Sequence, residues 1–289
     1  MPCRNVVSVD VEDYFHVEAF SGVVSCEAWG QYPCRIEQNT RRLMDLLDIC
    51  GARGTFFILG WIAERYPGLV REIVARGHEP ACHSYWHRLI YRLTAAEFRA
   101  DTLRAKECIE QAAGQTVRGY RAPSFSLTAK CAWAPEILVE LGLEYDSSIY
   151  PVRHDIYGLP DAPCQPFRLT TPSGSLTEFP MTTFRMMGAW NFPVAGGGYL
   201  RMLPWWYTRM GVERGRKQGV ITIAYVHPWE LDPEQPHIRA PFKSRLRHYS
   251  NLGGMSERLT RLLAMGEFVS FRELRTPADL IDYEIKAEA

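Results

Sequence analysis

The apolar pattern opens with a short β-branched run, Asn5 to Val9, that stops at the carboxylate Asp10 and reads as a buried strand. From there the hydrophobic period alternates. Leu43, Leu46, Leu47 and Ile49 make an inward helical stripe over Ile36 to Cys50, which Gly51 stops. Gly54 to Leu59 reads as a second strand, Trp61 to Ala75 as a helix ended by Gly77, and His78 to Cys82 as a third strand. Thr94 with Glu97 is a capping box that opens a long helix running to Gly114. Val117 to Tyr120 is a fourth strand, Lys130 to Leu141 a helix before Gly142, and Leu143 to Tyr145 a fifth strand. Leu176 to Phe179 and Val220 to Val226 supply two more. Strand then helix, repeated with short loops, predicts an α/β fold of parallel strands joined by right-handed crossovers. About seven such strands point to barrel-like closure or to an open doubly wound sheet. Between Ser147 and Pro204 the pattern gives way to Pro, Gly and aromatic residues, including Tyr150-Pro151 and Gly196-Gly197-Gly198, which predicts long loops and not an independent domain.

Composition narrows the function classes. A chain of 289 residues, 46% hydrophobic and 23% charged, is an ordinary globular one, and α/β barrels reach this length as one unit. A formal net charge of zero gives no long-range pull toward nucleic acid or anionic lipid. Lys243 to Arg247 is the nearest basic cluster and reads as a solvated face. The eight cysteines (Cys3, Cys26, Cys34, Cys50, Cys82, Cys108, Cys131, Cys164) show no CxxC pair or regular spacing, so they read as reduced thiols. The apolar run before Asp10 is too short for a signal-peptide core, and no run of about 18 uninterrupted apolar residues occurs elsewhere. No membrane span and a cytoplasmic location are the expectations.

Chemistry concentrates at predicted strand ends. His83 and His87 lie four residues apart where the third strand stops, and a helical turn there would aim both imidazoles at one cation. The acidic cluster Asp10-Val11-Glu12-Asp13 sits at the equivalent edge of the first strand. In an extended chain Asp10 and Glu12 point to the same side. This makes Asp10 the candidate base and Glu12 the third metal ligand, with Asp13 as the alternative ligand. Arg121 follows the fourth strand, Asp146 the fifth, Glu178 ends the sixth and His227 the seventh. Singly these are salt bridges, turn caps and edge hydrogen bonds. Jointly they occupy one predicted rim, and that placement supports metal-assisted hydrolysis, with Asp10 taking a proton from water, Arg121 orienting Asp10, and His227 protonating the leaving group.

The motifs resemble those of the NodB-type polysaccharide deacetylases, the family-4 carbohydrate esterases. Ser8-Val9-Asp10-Val11-Glu12-Asp13 is similar to their first motif, His83 to His87 to their metal-binding HxxxH, Arg121-Ala122-Pro123 to their RxP, and Val226-His227 to their late histidine motif. Val9 to His16, Tyr145 to Ile149 and His227-Pro228-Trp229-Glu230-Leu231 resemble the exosortase-associated branch involved in exopolysaccharide production. The resemblance implies a distorted barrel of about seven parallel strands over residues 1–230, with 231–289 as an extension packed on the same domain. It also implies one divalent ion, zinc, and an acetylated carbohydrate substrate. Tyr120, Pro123, Asp146 and Trp229 are the candidate substrate contacts, and Trp190, Tyr199, Trp205, Trp206 and Trp229 a candidate sugar-stacking wall. Most relatives place two aspartates side by side in the first motif, whereas Val11 intervenes here and leaves Glu12 and Asp13 both open as ligand. Their tryptophan-bearing fourth motif is not matched, and Asp146 is the candidate partner of His227. The competing readings are a deformylase or other small-amide hydrolase of the same fold, a non-haem iron oxygenase using His83, His87 and Glu12, and a non-catalytic glycan-binding remnant. Strand–helix alternation argues against the oxygenase, and the joint presence of Asp10, Arg121 and His227 against the remnant.

Overall fold

Parallel pairing follows from the crossovers, because each amphipathic helix carries the chain back to the same end of the sheet before the next apolar run begins. The computed structural model describes residues 4–186, 190–274 and 279–288. In chain order the elements are β1 (Asn5–Val11), α1 (Ile36–Ile49), β2 (Thr55–Ile58), α2 (Gly60–Arg65), α3 (Pro67–Ala75), β3 (Glu79–Cys82), α4 (Ala95–Ala113), β4 (Gly119–Tyr120), α5 (Ala134–Glu140) and β5 (Tyr145–Asp146). They continue with β6 (Phe167–Thr171), β7 (Gly174–Glu178), β8 (Thr183–Met186), β9 (Trp190–Pro193), α6 (Gly197–Met202), α7 (Trp205–Lys217), β10 (Ile223–Val226), α8 (Phe242–Tyr249), α9 (Met255–Leu263), β11 (Phe268–Val269) and β12 (Asp282–Tyr283).

The strand ladder runs β10-β1-β2-β3-β4-β5-β7-β6-β12, with β11 also on β1. All these pairs are parallel except the β6–β7 hairpin, so the mostly parallel α/β architecture is as expected. The barrel is not closed by a backbone ladder among the described residues. Side chains stitch across instead, since Ile223 N donates to Thr182 Oγ1 (2.6 Å) and that hydroxyl lies 3.3 Å from the Ile221 carbonyl oxygen. The C-terminal segment returns to the same sheet through β11 and β12.

Alternation along β1 sorts side chains between two apolar layers. Val7, Val9 and Val11 pack against the helices, while Val6 joins Phe57, Ala81, Tyr145, Ile223 and Tyr225 in a second, interior cluster. Ser8 and Asp10 share the parity of Val6 and reach Arg121 across this interior. Strand parity therefore delivers polar groups to the far end of an otherwise apolar barrel.

Three expectations change. The helix proposed over Trp61 to Ala75 is two, because Pro67 has no N–H to continue the first and fits the opening turn of the second. The segment Ser147 to Pro204 contains the strands β6 to β9 and α6, whose short runs lack a clear period. The helix expected from Lys130 begins as a separate 3-10 turn, with α5 starting at Ala134. The capping box of α4 is as read: Glu97 N donates to Thr94 Oγ1 (3.2 Å) and Thr94 N to Glu97 Oε2 (2.8 Å). The seven described cysteines are free, and Cys3 lies outside the described residues.

At β4, a Cβ on Gly119 would fall onto the Tyr145 ring, which is pinned by its hydroxyl donating to Glu79 Oε1 (2.9 Å). Gly119→Ala should lower unfolding stability by about 2 kcal/mol through overpacking. Denaturant unfolding checks this, and wild-type stability in the variant would contradict the close β4–β5 packing.

Candidate active site

The carboxyl ends of β1, β3 and β10 open into a cleft of about 540 Å³ lined by Asp10, Glu12, His83, His87, His227 and Trp229, among others. This is where parallel sheets place their chemistry, since loops leaving the strand ends are free to vary.

The His83–His87 segment is not the helical turn expected from its spacing. Ser84 and His87 adopt left-handed backbone conformations, with φ of 65° and 51°. Such positions cost roughly 1–3 kcal/mol each and persist when their surroundings over-determine them. Buried Asp101 of α4 supplies that constraint by accepting from Tyr85 N (2.7 Å) and Trp86 N (3.3 Å), while Ser84 Oγ accepts from His87 N (3.1 Å). Sequence reasoning missed Asp101, whose only signal was a carboxylate on the inward face of a helix.

His83 Nδ1 lies 2.8 Å from the Arg121 carbonyl oxygen. A carbonyl only accepts, so Nδ1 carries the proton and Nε2 keeps its lone pair for the cleft, the arrangement that orients metal-binding imidazoles. Burial lowers the His83 pKa to about 4, which keeps the ring neutral at pH 7. Glu12, His83 and His87 each present a ligand atom within 4.8 Å of the others, and all three are buried. Glu12 Oε2 sits 2.9 Å from His87 Nε2 and has no further partner among the described residues. Burial works against the Glu12 charge, and the neighbouring His87 and His227 more than offset it, so the carboxyl is held below its usual range. Two imidazoles and one ionised oxygen facing a common point are a donor set that fits a divalent cation with open positions.

Asp10 is held from the side opposite the cleft. Arg121 Nη1 donates to Asp10 Oδ1 (2.7 Å) and to Ser8 Oγ (2.8 Å), Nε to the Ser147 carbonyl (2.9 Å), and Nη2 to Ser147 Oγ (3.0 Å). Asp10 Oδ2 remains on the cleft side, 3.9 Å from His227 Nε2. The same nitrogen lies 3.3 Å from Glu12 Oε1. Desolvation alone would depress the His227 pKa, but Glu230, Glu12 and Asp10 together raise it to about 9, so the ring is an imidazolium at neutral pH.

The partner of His227 is Glu230, not Asp146. Glu230 Oε2 lies 3.1 Å from His227 Nδ1, and its Oε1 accepts from buried Arg201 Nε at 2.6 Å. The signal was present in the i, i+3 spacing of His227 and Glu230. Arg201 gave none, because it sits on a short helix in the Gly-rich stretch.

The remaining candidates divide. Trp229 lines the cleft, stacks on His227 (centroids 5.1 Å, 21°) and places Nε1 3.4 Å from Glu12 Oε1. Tyr199 also lines it, whereas Trp205 flanks a separate groove and Trp206 is exposed on α7. The Trp190 side chain lies outside the described residues. Tyr120 and Pro123 are buried behind the rim, and the following residues Ser124 and Phe125 face the cleft in their place. Asp13 turns away from the imidazoles: its Oδ1 accepts from Tyr14 N (2.9 Å) and Oδ2 from Arg35 N (2.5 Å), anchoring the entry to α1. Asp146 is fully buried beside Glu178, its register partner on β7. Burial raises the pKa of both, and the neighbouring Asp146 charge raises that of Glu178 further, while Ser148 Oγ donates to Asp146 and Ile149 N to Glu178.

Residues 29–145 match the family model described as polysaccharide deacetylase, and residues 147–276 match a domain of unknown function, DUF3473. A peptidoglycan-N-acetylglucosamine deacetylase of Bacillus cereus is 30% identical over 98 residues, 34% of this chain and 36% of that protein. A chitooligosaccharide deacetylase of a Bradyrhizobium strain is 35% identical over 85 residues, 29% of this chain and 39% of the relative. The chain thus spans little more than a third of the length of these curated relatives. Among solved structures, a protein described as a polysaccharide deacetylase from Mycobacterium smegmatis superposes with a TM-score of 0.58 at 21% identity, over 93% of this chain and 88% of that one. A CE4 family pseudoenzyme from Bacillus anthracis does so at 0.51 and 15% identity, over 98% and 71%. At such identities the likeness is one of fold, and a fold shared with a pseudoenzyme leaves activity to be argued from the residues.

The separation of Glu12 from Asp13 is testable by metal analysis. Glu12→Gln should lower zinc affinity by more than the roughly 10–100-fold that outer-shell changes cause, while Asp13→Asn keeps the metal and loses stability; zinc retention by Glu12→Gln would contradict the ligand geometry. A second expectation concerns pH. Carboxyls whose folded pKa is raised contribute fully below the unfolded value of about 4, and that stability is lost as pH rises through the raised folded value. The stability that this pair contributes should therefore fall between pH 5 and pH 8, so the melting temperature of the wild type minus that of Glu178→Gln, which keeps the acceptor for Ile149 N, should decline across that range; a difference that stays constant with pH would show that the two carboxyls are not raised.

Proposed function

Because residues 29–145 match the polysaccharide deacetylase family model, we propose that the chain is a metal-dependent hydrolase of this NodB-homology type that removes an N-acetyl or O-acetyl group from a sugar. The observation that carries this reading is the convergence of Glu12, His83 and His87 with Asp10 and His227 around one cleft. A divalent cation held by Glu12, His83 and His87, zinc in this reading, would supply Lewis-acid polarisation of the acyl carbonyl and acidify a bound water. Asp10 is the base and receives the water proton at Oδ2, because Oδ1 is engaged by Arg121. Arg121 holds the carboxylate in place through a charge-assisted bond and is itself fixed by Ser8 and Ser147. His227 is the acid: its Nε2 faces the cleft, and Glu230 at Nδ1 favours the protonated ring that must donate to the leaving nitrogen.

Tyr199 and Trp229, with Phe125, Tyr157 and Tyr225, give the cleft aromatic walls suited to sugar faces. A glycan-binding remnant would need those walls but neither base nor acid, and the chain keeps both. The finer reading is an exopolysaccharide precursor as substrate, supported by the His227-Pro228-Trp229-Glu230-Leu231 resemblance. The free cysteines support a reducing, cytoplasmic setting. No helix among the described residues is long and apolar enough to cross a membrane.

Acetate release from a panel of N-acetylated sugars and oligosaccharides, with zinc added or chelated, tests the proposal. The wild type should release acetate only with metal present, and Asp10→Asn should keep the metal while turnover falls by roughly 10²–10⁴-fold. Zinc-loaded protein that releases no acetate across the panel, or an active Asp10→Asn variant, would overturn the assignment.

A further inference from the structure

The basic stretch that read as a solvated face in the sequence is α8, and the structure shows it to be more than that. Phe242 is 74% exposed and Leu246 56% exposed, one helical turn apart. At about 100° per residue, buried His248 and half-buried Ser244 define the inward side, and Leu246 points the opposite way with Phe242 beside it. Lys243 and Arg247 flank this apolar edge on the side that lines the cleft, and Arg245 flanks it on the other. Met202, 52% exposed, lines the same cleft. From Ile238 to Ser256 the chain carries Arg239, Lys243, Arg245 and Arg247 and no Asp or Glu, within a molecule of zero net charge. The helix is held in position: Arg201 donates to the carbonyls of Arg247 (3.1 Å), His248 (2.9 Å) and Ser250 (2.6 Å).

We propose that α8 seats the protein on an anionic lipid bilayer, with Phe242 and Leu246 entering the headgroup boundary and Lys243, Arg245 and Arg247 pairing with lipid phosphates. Exposed large apolar side chains between cations are the signature of an interfacial helix, and a short one gains from being fixed in advance. A second copy of the chain is a poor occupant, because a two-fold contact through this face would set its uncompensated cations against one another. An anionic surface neutralises them instead. In this seating the cleft mouth lies at the headgroup level, since Lys243 and Arg247 belong to both. Phe242, Arg245 and Leu246 lie outside the cleft lining, so the docking surface is tested without the reaction.

Co-sedimentation with phosphatidylcholine vesicles, alone or with about 30 mol % phosphatidylglycerol, reads the surface directly. The wild type should pellet with the anionic vesicles only and be released by added salt. The Phe242→Ser/Leu246→Ser double variant and Arg245→Glu should each lose roughly tenfold or more in partitioning while melting at the wild-type temperature. No pelleting of wild type with anionic vesicles, or equal pelleting of wild type and folded variants, overturns the proposal. So does a concentration-dependent dimer that the double variant abolishes in a protein that never pellets, which would give the face to a second copy.

Discussion

The site depends on a guanidinium placed where water cannot reach it. Arg121 is fully buried, with its guanidinium carbon 4.2 Å from the Phe57 ring centroid, and a cation in such a position costs several kcal/mol unless its donors are matched. They are matched by Ser8 and Asp10 from β1 and by the carbonyl and hydroxyl of Ser147 just after β5. The planar fork can reach both only if the two strand ends lie at the same depth. Satisfying Arg121 therefore fixes the relative placement of distant segments, and Asp10 is oriented as a consequence. The same residue sets His83 through its backbone, because its carbonyl oxygen accepts the hydrogen bond from Nδ1–H. One position thus orients both Asp10 and the His83 imidazole.

Family boundaries cut across this arrangement. Asp10 and Glu12 precede the segment that matches the deacetylase model, while His83, His87 and Arg121 lie within it. His227, Glu230 and Arg201 fall in the segment matched only by a domain of unknown function. That segment is continuous with the rest in the sheet, because β10 pairs with β1 in register from Val6↔Ile223 to Val9↔Val226. The pairing sets Asp10 and His227 one step beyond adjacent partners, which is why their side chains meet. The second segment supplies His227 with its partners Glu230 and Arg201, and the wall that carries α8.

What could be read from the sequence was what depends on local period and parity. β1 and β10 announced themselves as apolar runs ending at Asp10 and His227, β2 as the apolar run before Gly60, and the shared parity of Asp10 and Glu12 put both on the cleft side. What could not be read depends on contacts distant in sequence. His83 and His87 do converge, but through a left-handed loop held by Asp101 and not through a helical turn; spacing alone cannot distinguish these. Glu178 and Asp146 looked like separate rim groups because each ends a strand, yet the register of β5 on β7 turns them into a buried pair with each other. The exposed side of α8 was hidden because a basic run reads the same whether its apolar neighbours are covered or open.

The interruption of the first motif by Val11 follows from where β1 ends. Val11 is the last residue of the strand and is buried in the helix-facing layer, so a carboxylate there would sit among apolar side chains with no cation to meet. The chain then turns sharply, with Glu12 N donating to the Asp10 carbonyl at 2.9 Å, an i to i+2 closure of the kind common at strand ends. Position 12 stays on the cleft side through this turn, and glutamate's additional methylene carries Oε2 to within 2.9 Å of His87 Nε2. Position 13 is then already committed to the next element, since its carboxylate receives the Arg35 N–H at the start of α1. Glu12 thus keeps the side it shares with Asp10 and faces the imidazoles, while the chain beyond the turn carries Asp13 out of their reach.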